Sequence, residues 1–355
     1  MGRHPREEIG RTLAGDVLEI GPGHEPFPTG EDARVVYADR AVAGGRDAIW
    51  PELSQFPRGP QADLDIDLDV DRLTAVGDAT FDVVIASHLV EHLANPLAAL
   101  REFERVLRPA GRLVLVLPDR TRTFDVVRDP TPLAHVLDEL AREVTEVDAE
   151  HIREFCAAIY RQPPRHPPEV REWHDPARLD AERLDLHRRR SIHAHCWTAE
   201  EFAVLLAGCI VRGLMSWQLD DLFFVEDAGE QAIEFGLVLE RPSAATTPLD
   251  RCTRFVGDWV RRLLDAPGRD PGRVSALYTA LARDFAGWDE LEAVAPVAAD
   301  VLAAELVKTR ARESSLTERL RVEEQGRAAV LRSRSYRAAR VLGAPLRLAR
   351  RRRRV

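Results

Sequence analysis

Cysteine is scarce in this chain of 355 residues: four in all, Cys156, Cys196, Cys209 and Cys252, with no C-x-x-C pair. A disulfide framework and a cysteine-built zinc site are therefore not expected, no metal is expected, and a reducing cytoplasm is the simplest compartment. No apolar run approaches the roughly 20 residues that cross a bilayer. The opening MGRHPREEIG has no apolar core of a secretory signal. Acid is missing altogether from Gly326 to Val355, a stretch that carries eleven arginines. Taking those 11 from the 50 basic residues leaves 39 against 59 acidic ones, a body with net charge -20. So acidic a body argues against duplex nucleic acid as the main partner and leaves the basic tail to be explained separately. What remains is the balance of a soluble globular protein, 45% hydrophobic and 31% charged, long enough for one large domain or two smaller ones.

Short β-branched runs recur through the first half at Val17–Ile20, Val35–Ala38, Val83–Ala86 and Leu113–Leu117, each ending in polar, Gly or Pro punctuation. Between the last two, LVEHLANPLAALREFERVLRPAG places Leu97, Leu100, Phe103, Val106 and Leu107 at helical spacing, closed by Pro109 and Gly111. Strands alternating with helices predict an α/β fold on a parallel sheet. Residues 119–195, rich in Arg, His and Pro, read as a helical insertion or lid, with LAHVLDELAREVTEV and HIREFCAAIYRQ as helices. Thr198 and Glu201 stand at capping-box spacing before FAVLLAGC, and strands are expected at Ile210–Trp217 and Ala232–Leu239. RPSAATTP (241–248) reads as a linker after a domain spanning 1–240. Residues 249–330 read as helical. A 3-4 spacing over 299–330 allows a coiled coil, and with it a homo-oligomer, although only five of its nine positions are apolar.

The chemistry begins at VLEIGPGHEPF (17–27). A strand carrying Glu19 runs into Gly21 and Gly23, which permit a tight turn and close approach of a ligand to the backbone. A dinucleotide fingerprint would need glycine at 26, where Pro26 stands, and Pro26 with Pro28 prevents a helix from starting to hold a pyrophosphate. That argues against a nicotinamide oxidoreductase. In VVYADR, Asp39 ends the second strand, where an acid suits the two hydroxyls of a ribose. ADLDIDLDVDRL, FDVVIASHLVEHLANP and VLRPAGRLVLVLPD follow in order.

Together these words resemble the class I S-adenosylmethionine-dependent methyltransferases over roughly residues 15–240. PDRTRTFD (118–125) and HAHCWT (193–198) are similar to words of a narrower bacterial group that shares the abbreviated EIGPG entry. The resemblance implies a Rossmann-like, seven-stranded sheet with S-adenosylmethionine as cofactor. Glu19, Gly21 and Gly23 would hold its methionine portion and Asp39 its ribose. Asp69, or its rival Asp67, would meet the adenine amino group, while Ser87 and His88 would line the sulfonium end. A sulfonium cofactor also answers why so short a turn suffices, because no pyrophosphate has to be held.

Methyl transfer to oxygen or nitrogen needs a positioned acceptor and a base for its proton. His88, His92, His193 and His195 all fall at ends of elements, and the resemblance favours His193 and His195 as bases, with His88 also a candidate. Asp119, Arg120, Arg122 and Asp125 would bind acceptor, or else tie the insertion to the sheet by salt bridges. The tail LRSRSYRAARVLGAPLRLARRRRRV (331–355) interleaves apolar residues with arginine, as suits an anionic membrane surface. Its SYRAARVLGAPLR is similar to endings of bacterial enzymes that build surface polysaccharides. The expected function is O-methylation of a sugar or nascent, lipid-linked glycan at the cytoplasmic face of the inner membrane. Methylation of a small metabolite and a non-catalytic scaffold role are the alternatives.

Overall fold

A computed structural model describes residues 4–40, 49–50, 54–162 and 172–265, together with Arg273 and Ala280. Seven strands form one sheet: β1 (Gly15–Ile20), β2 (Ala33–Asp39), β3 (Leu64–Asp65), β4 (Phe81–Ser87), β5 (Leu107–Pro118), β6 (Gln218–Phe223) and β7 (Glu234–Glu240). Their order is β3-β2-β1-β4-β5-β7-β6. The first five pair in parallel, while β7 runs antiparallel to both β5 and β6. The expected α/β fold with a seven-stranded sheet is what the chain forms.

The chain leaves β1 toward β2 and β3 on one side and resumes with β4 on the other. The strand order therefore reverses between β1 and β4, and a crevice opens beyond their carboxyl ends. This topology places the residues after Ile20 and after Ala86 at one site. The register sets them level, with Ile20 beside Ala38 on β2 and Ala86 on β4.

The β1–β2 connection, residues 21–32, contains no helix. Phe27 does the packing that a helix would have done: it is 4% exposed and sits among Ile9, Leu13, Val17, Val83 and Ile85. Burying such a side chain contributes about 1.5–3 kcal/mol. The short helix α1 (Pro5–Gly10), with Pro5 at its first turn and His4 capping Arg6, brings Ile9 into the same cluster.

Helix α2 (Pro96–Val106) spans the expected positions from Leu97 to Val106 and ends one residue before the last of them, Leu107. Asn95 caps it through Ala98, Val90–His92 form only a 3-10 turn, and Leu107 already belongs to β5, opposite Phe81. Among its described residues, the 119–195 stretch forms α3 (Leu133–Ala141), α4 (Ala149–Arg161) and α5 (Ala181–Arg189), and carries its own cluster of Ile152, Phe155, Cys156, Ile159 and Ile192.

Helix α6 (Ala199–Val211) has the full capping box expected from Thr198 and Glu201. The strand expected at Ile210–Trp217 is not formed. Ile210 and Val211 complete α6, Gly213 turns the chain with φ +69°, and β6 begins at Gln218. The reason is burial on all sides: Phe202 through Ile210 are all buried, so the apolar run has no periodicity to separate helix from strand.

Helix α7 (Pro248–Asp265) buries Cys252, Phe255, Val256, Trp259, Val260 and Leu263. Cys252 faces the Ala207 carbonyl of α6, and Trp259 meets Phe224 edge-on. The chain divides into compact units at Met1–Ala298 and Ala299–Val355. The coiled-coil expectation for 299–330 and the basic tail 331–355 lie outside the described residues. All four cysteines are free and buried. No described helix is long and apolar enough to cross a membrane.

Candidate active site

A cleft of about 1050 Å³ opens at the β1/β4 switch point, lined by Glu19, Gly21, Pro22, Gly23, His24, Ser87 and His88, with Arg6 and the 228–234 segment opposite. Five of the predicted cofactor residues are thus brought together. Gly21 and Gly23 adopt φ +66° and +58°, a conformation that side chains with a Cβ avoid. The Gly21 N–H donates to the Ala38 carbonyl, which holds the turn against β2.

Glu19 is 2% exposed; its Oε1 accepts the Phe27 N–H at 2.7 Å, and its Oε2 has no hydrogen-bond partner. Burial raises the carboxyl to about pKa 7, against the opposing pull of the Phe27 N–H and the Arg6 charge. An orphaned carboxylate oxygen at a cleft wall is costly unless a ligand donates to it. The ammonium of a methionine-type ligand is such a donor, so Glu19 and the glycine turn fit S-adenosylmethionine. Beside the turn, His24 meets Phe56 at 5.0 Å, and a Cβ on Gly59 would lie 1.6 Å from the Gly23 carbonyl oxygen. The 54–60 segment can therefore lie this close only because residue 59 is glycine.

Asp39 ends β2 level with Gly21 and accepts the Arg40 N–H at 2.7 Å. Asp67 accepts the Asp69 N–H and pairs loosely with Arg40 at 3.9 Å. Asp69 accepts the Ala94 N–H at 2.9 Å, and its burial raises its carboxyl to about 7.

The opposite wall carries two residues that sequence reasoning missed. Arg6 grips Glu234 with two nitrogens, at 2.6 and 2.5 Å, and donates to the Ser87 hydroxyl at 3.1 Å. Glu234 also takes His88 Nε2 at 2.8 Å. The ends of α1, β4 and β7 are thereby clamped together. Burial by itself would lower the His88 pKa; the hydrogen bond to Glu234 and the nearby Glu91 carboxylate overcome it and lift the ring to about 9. His88 is then an imidazolium at neutral pH, which removes it from the candidate bases. A carboxylate and an arginine 228 residues apart have no sequence pattern to link them.

From His88 a line of polar groups runs inward. Glu91, 1% exposed, has an oxygen 3.6 Å from both His88 Nδ1 and His92 Nε2, and the His92 ring stands edge-on to His193 at 4.9 Å. His193 Nδ1 is 2.7 Å from Asp125 Oδ2. Asp125 is fully buried and paired with Arg128 at 2.8 Å, and Arg128 also donates to the His193 and Ala194 carbonyls. The words PDRTRTFD and HAHCWT thus meet in one His–Asp pair.

His195 faces elsewhere. It is wholly buried against Trp197 and near Glu139, and burial lowers it to about 3, so it does not reach an acceptor. The other predicted acceptor residues are occupied. Asp119, 3% exposed, accepts from Thr121. Arg120 pairs with Glu201 at 2.8 Å through two nitrogens, and Arg122 approaches Glu226 at 3.8 Å. Asp119 thus holds a local turn and Arg120 is tied to α6.

Residues 49–115 match the family described as "Methyltransferase domain". Two proteins from strains of Mycobacterium tuberculosis, each named "Probable S-adenosylmethionine-dependent methyltransferase", are 30% identical over 198 residues, which is 54% of this chain. The match spans 65% of their length. Among solved structures, a methyltransferase from Methanosarcina mazei aligns at 15% identity and TM-score 0.36 over 68% of this chain and 99% of its own. The Burkholderia thailandensis 1,6-didemethyltoxoflavin-N1-methyltransferase aligns at 13% identity and TM-score 0.34, over 67% and 77%. Those two likenesses are too loose to argue from. Residues 49–115 thus match a methyltransferase domain, and the strands that carry the motifs lie side by side in one sheet beneath the cleft.

Proposed function

We propose that this chain transfers a methyl group from S-adenosylmethionine to a hydroxyl oxygen of a sugar or nascent surface glycan. The observation that carries the reading is the cleft at the β1/β4 switch point, with the orphaned Glu19 Oε2 in its wall and the His193–Asp125 pair inward of His88. S-adenosylmethionine supplies a methyl already activated by its sulfonium. The new O–C bond forms as the S–C bond breaks, and sulfur leaves as a neutral thioether. The protein's task is to orient the acceptor and take its proton. Asp125 holds the proton on His193 Nδ1 and leaves Nε2 as the accepting atom, so His193 is the base.

The glycan assignment rests on the tail. Eleven arginines interleaved with Leu331, Tyr336, Leu342, Leu346 and Leu348 suit an anionic inner leaflet, where lipid-linked acceptors are found. Calorimetric titration with S-adenosylmethionine and its demethylated product, beside Asp39→Ala, tests the cofactor half. Micromolar binding that is lost in the variant supports it, and a folded protein that binds neither ligand overturns it. Labelled methyl transfer to lipid-linked sugars, free sugars and small phenols then tests the acceptor.

A further inference from the structure

Outside the cleft, four side chains from three parts of the insertion converge. His135 and Glu139 lie at i and i+4 on α3, His151 in the first turn of α4, and His195 on the segment before α6. His135 Nε2 is 2.9 Å from His151 Nε2 and 3.0 Å from Glu139 Oε1, which in turn is 3.3 Å from His151 Nε2. His195 Nε2 is 3.5 Å from Glu139 Oε2. The three rings lie 5.0, 5.3 and 5.7 Å apart.

Protons satisfy His135, His151 and Glu139 Oε1 but leave the rest of this group without partners. His151 Nδ1 is 2.9 Å from Asp148 Oδ1 and donates to it, which leaves the neutral ring with a lone pair on Nε2. That lone pair faces His135. His195 is 0% exposed, and neither ring nitrogen has a hydrogen-bond partner; Glu139 Oε2 has none either. Buried unpaired groups of this kind cost about 1–3 kcal/mol each.

One cation would take a lone pair from each of the four residues. Zinc–nitrogen bonds of about 2.0–2.1 Å in a tetrahedron set ligand atoms roughly 3.3 Å apart; His135 Nε2, His151 Nε2 and Glu139 Oε1 stand 2.9 to 3.3 Å apart, and His195 Nε2 lies 3.5 Å from the other Glu139 oxygen. A carboxylate behind a ligand histidine, as Asp148 stands behind His151, is the usual second partner of such a site.

We propose that His135, Glu139, His151 and His195 bind one zinc ion that ties together α3, α4 and the end of the 119–195 insertion. Four protein ligands close the tetrahedron, so the site is structural and leaves no position for substrate. The link onward to the sheet runs through the backbone around His195. The His195 N–H donates to the Glu91 carbonyl after β4, and Trp197 bridges Asp119 after β5. The absence of cysteine pairs pointed away from metal. These ligands are instead spread over positions 135 to 195, and only the i, i+4 pair had a local signature.

Elemental analysis of the full-length protein, purified without chelator or affinity metal, tests the site. We expect about one zinc per chain in the wild type and in His193→Ala, and at least a tenfold loss in both His195→Ala and Glu139→Gln. Because those variants may unfold, the wild type is also melted after chelation and again after addition of zinc chloride. We expect the melting temperature to fall by several degrees and to return. A folded wild type that neither carries nor takes up zinc overturns the proposal. So does zinc content undiminished in both variants, or stoichiometric iron or manganese in its place.

Discussion

His193 Nδ1 lies 2.7 Å from Asp125 Oδ2, and the Asp125 carboxylate is fully buried against Arg128. Arg128 also binds the His193 backbone carbonyl, so one guanidinium fixes both members of the pair. If His193 takes the acceptor's proton, His193→Gln lowers kcat by about 10²–10⁴ and leaves the affinity for S-adenosylmethionine within a factor of two or so. Single-turnover methyl transfer beside calorimetry checks this. An unchanged rate would remove His193 from the chemistry.

Glu19 gives the cofactor-free protein a defined pH dependence. Below its ordinary value of 4.5 the carboxyl is protonated in the folded and unfolded chains alike and contributes nothing. Between 4.5 and about 7 the folded chain retains a proton that the unfolded chain has released, so stability falls as pH rises and levels off above 7. The full penalty is roughly 3 kcal/mol. Glu19→Gln removes it, so its melting temperature should gain on the parent from pH 5 to pH 8. Melting curves that shift in parallel across that range would contradict the assignment.

His88 owes its charge to Glu234. In Glu234→Gln the ring keeps its burial, which lowers its pKa, and loses its strongest partner. Its titration midpoint should drop below about 9, read by NMR on the imidazole protons. A midpoint left near 9 would mean that Glu91 alone holds the proton.

Arg120 separates a structural role from an acceptor-binding one. It makes two 2.8 Å bonds to Glu201, the residue that also closes the capping box on the Thr198 N–H. Arg120→Ala and Glu201→Ala should each lower stability by about 1–3 kcal/mol and combine with less than the sum of their costs. KM for the acceptor should stay unchanged in Arg120→Ala. A tenfold rise in KM without loss of stability would return Arg120 to the acceptor site.

Two glycines should differ in how they fail. At Gly21 a Cβ meets only Leu89 Cδ1, at 3.5 Å, so Gly21→Ala costs the strain of its positive φ, about 1–2 kcal/mol. At Gly59 the new atom would overlap the Gly23 carbonyl oxygen, so the 54–60 segment must shift. Gly59→Ala should therefore weaken S-adenosylmethionine binding more than it lowers the melting temperature. Equal behaviour of the two variants in calorimetry and melting would contradict this distinction.

Local chemistry was readable in the sequence wherever neighbouring residues act together. The β-branched runs specify β1, β2, β4 and β5; Gly21 and Gly23 with Pro26 and Pro28 specify a turn in place of a helix; Thr198 and Glu201 specify a cap. The cofactor words follow from these, because a parallel α/β sheet brings strand ends to one edge. Where apolar residues are buried on every side, as in α6, the sequence has no period to read, and the strand placed at Ile210 failed for that reason. What tertiary structure alone decided is every contact between distant parts of the chain. It set Arg6 on Glu234, charged His88 through that pair, joined His193 to Asp125, and turned His195 away from the cleft toward His135, Glu139 and His151. Proton positions and ligand sets depend on distances of a few ångströms between such residues, and folding is what creates those distances.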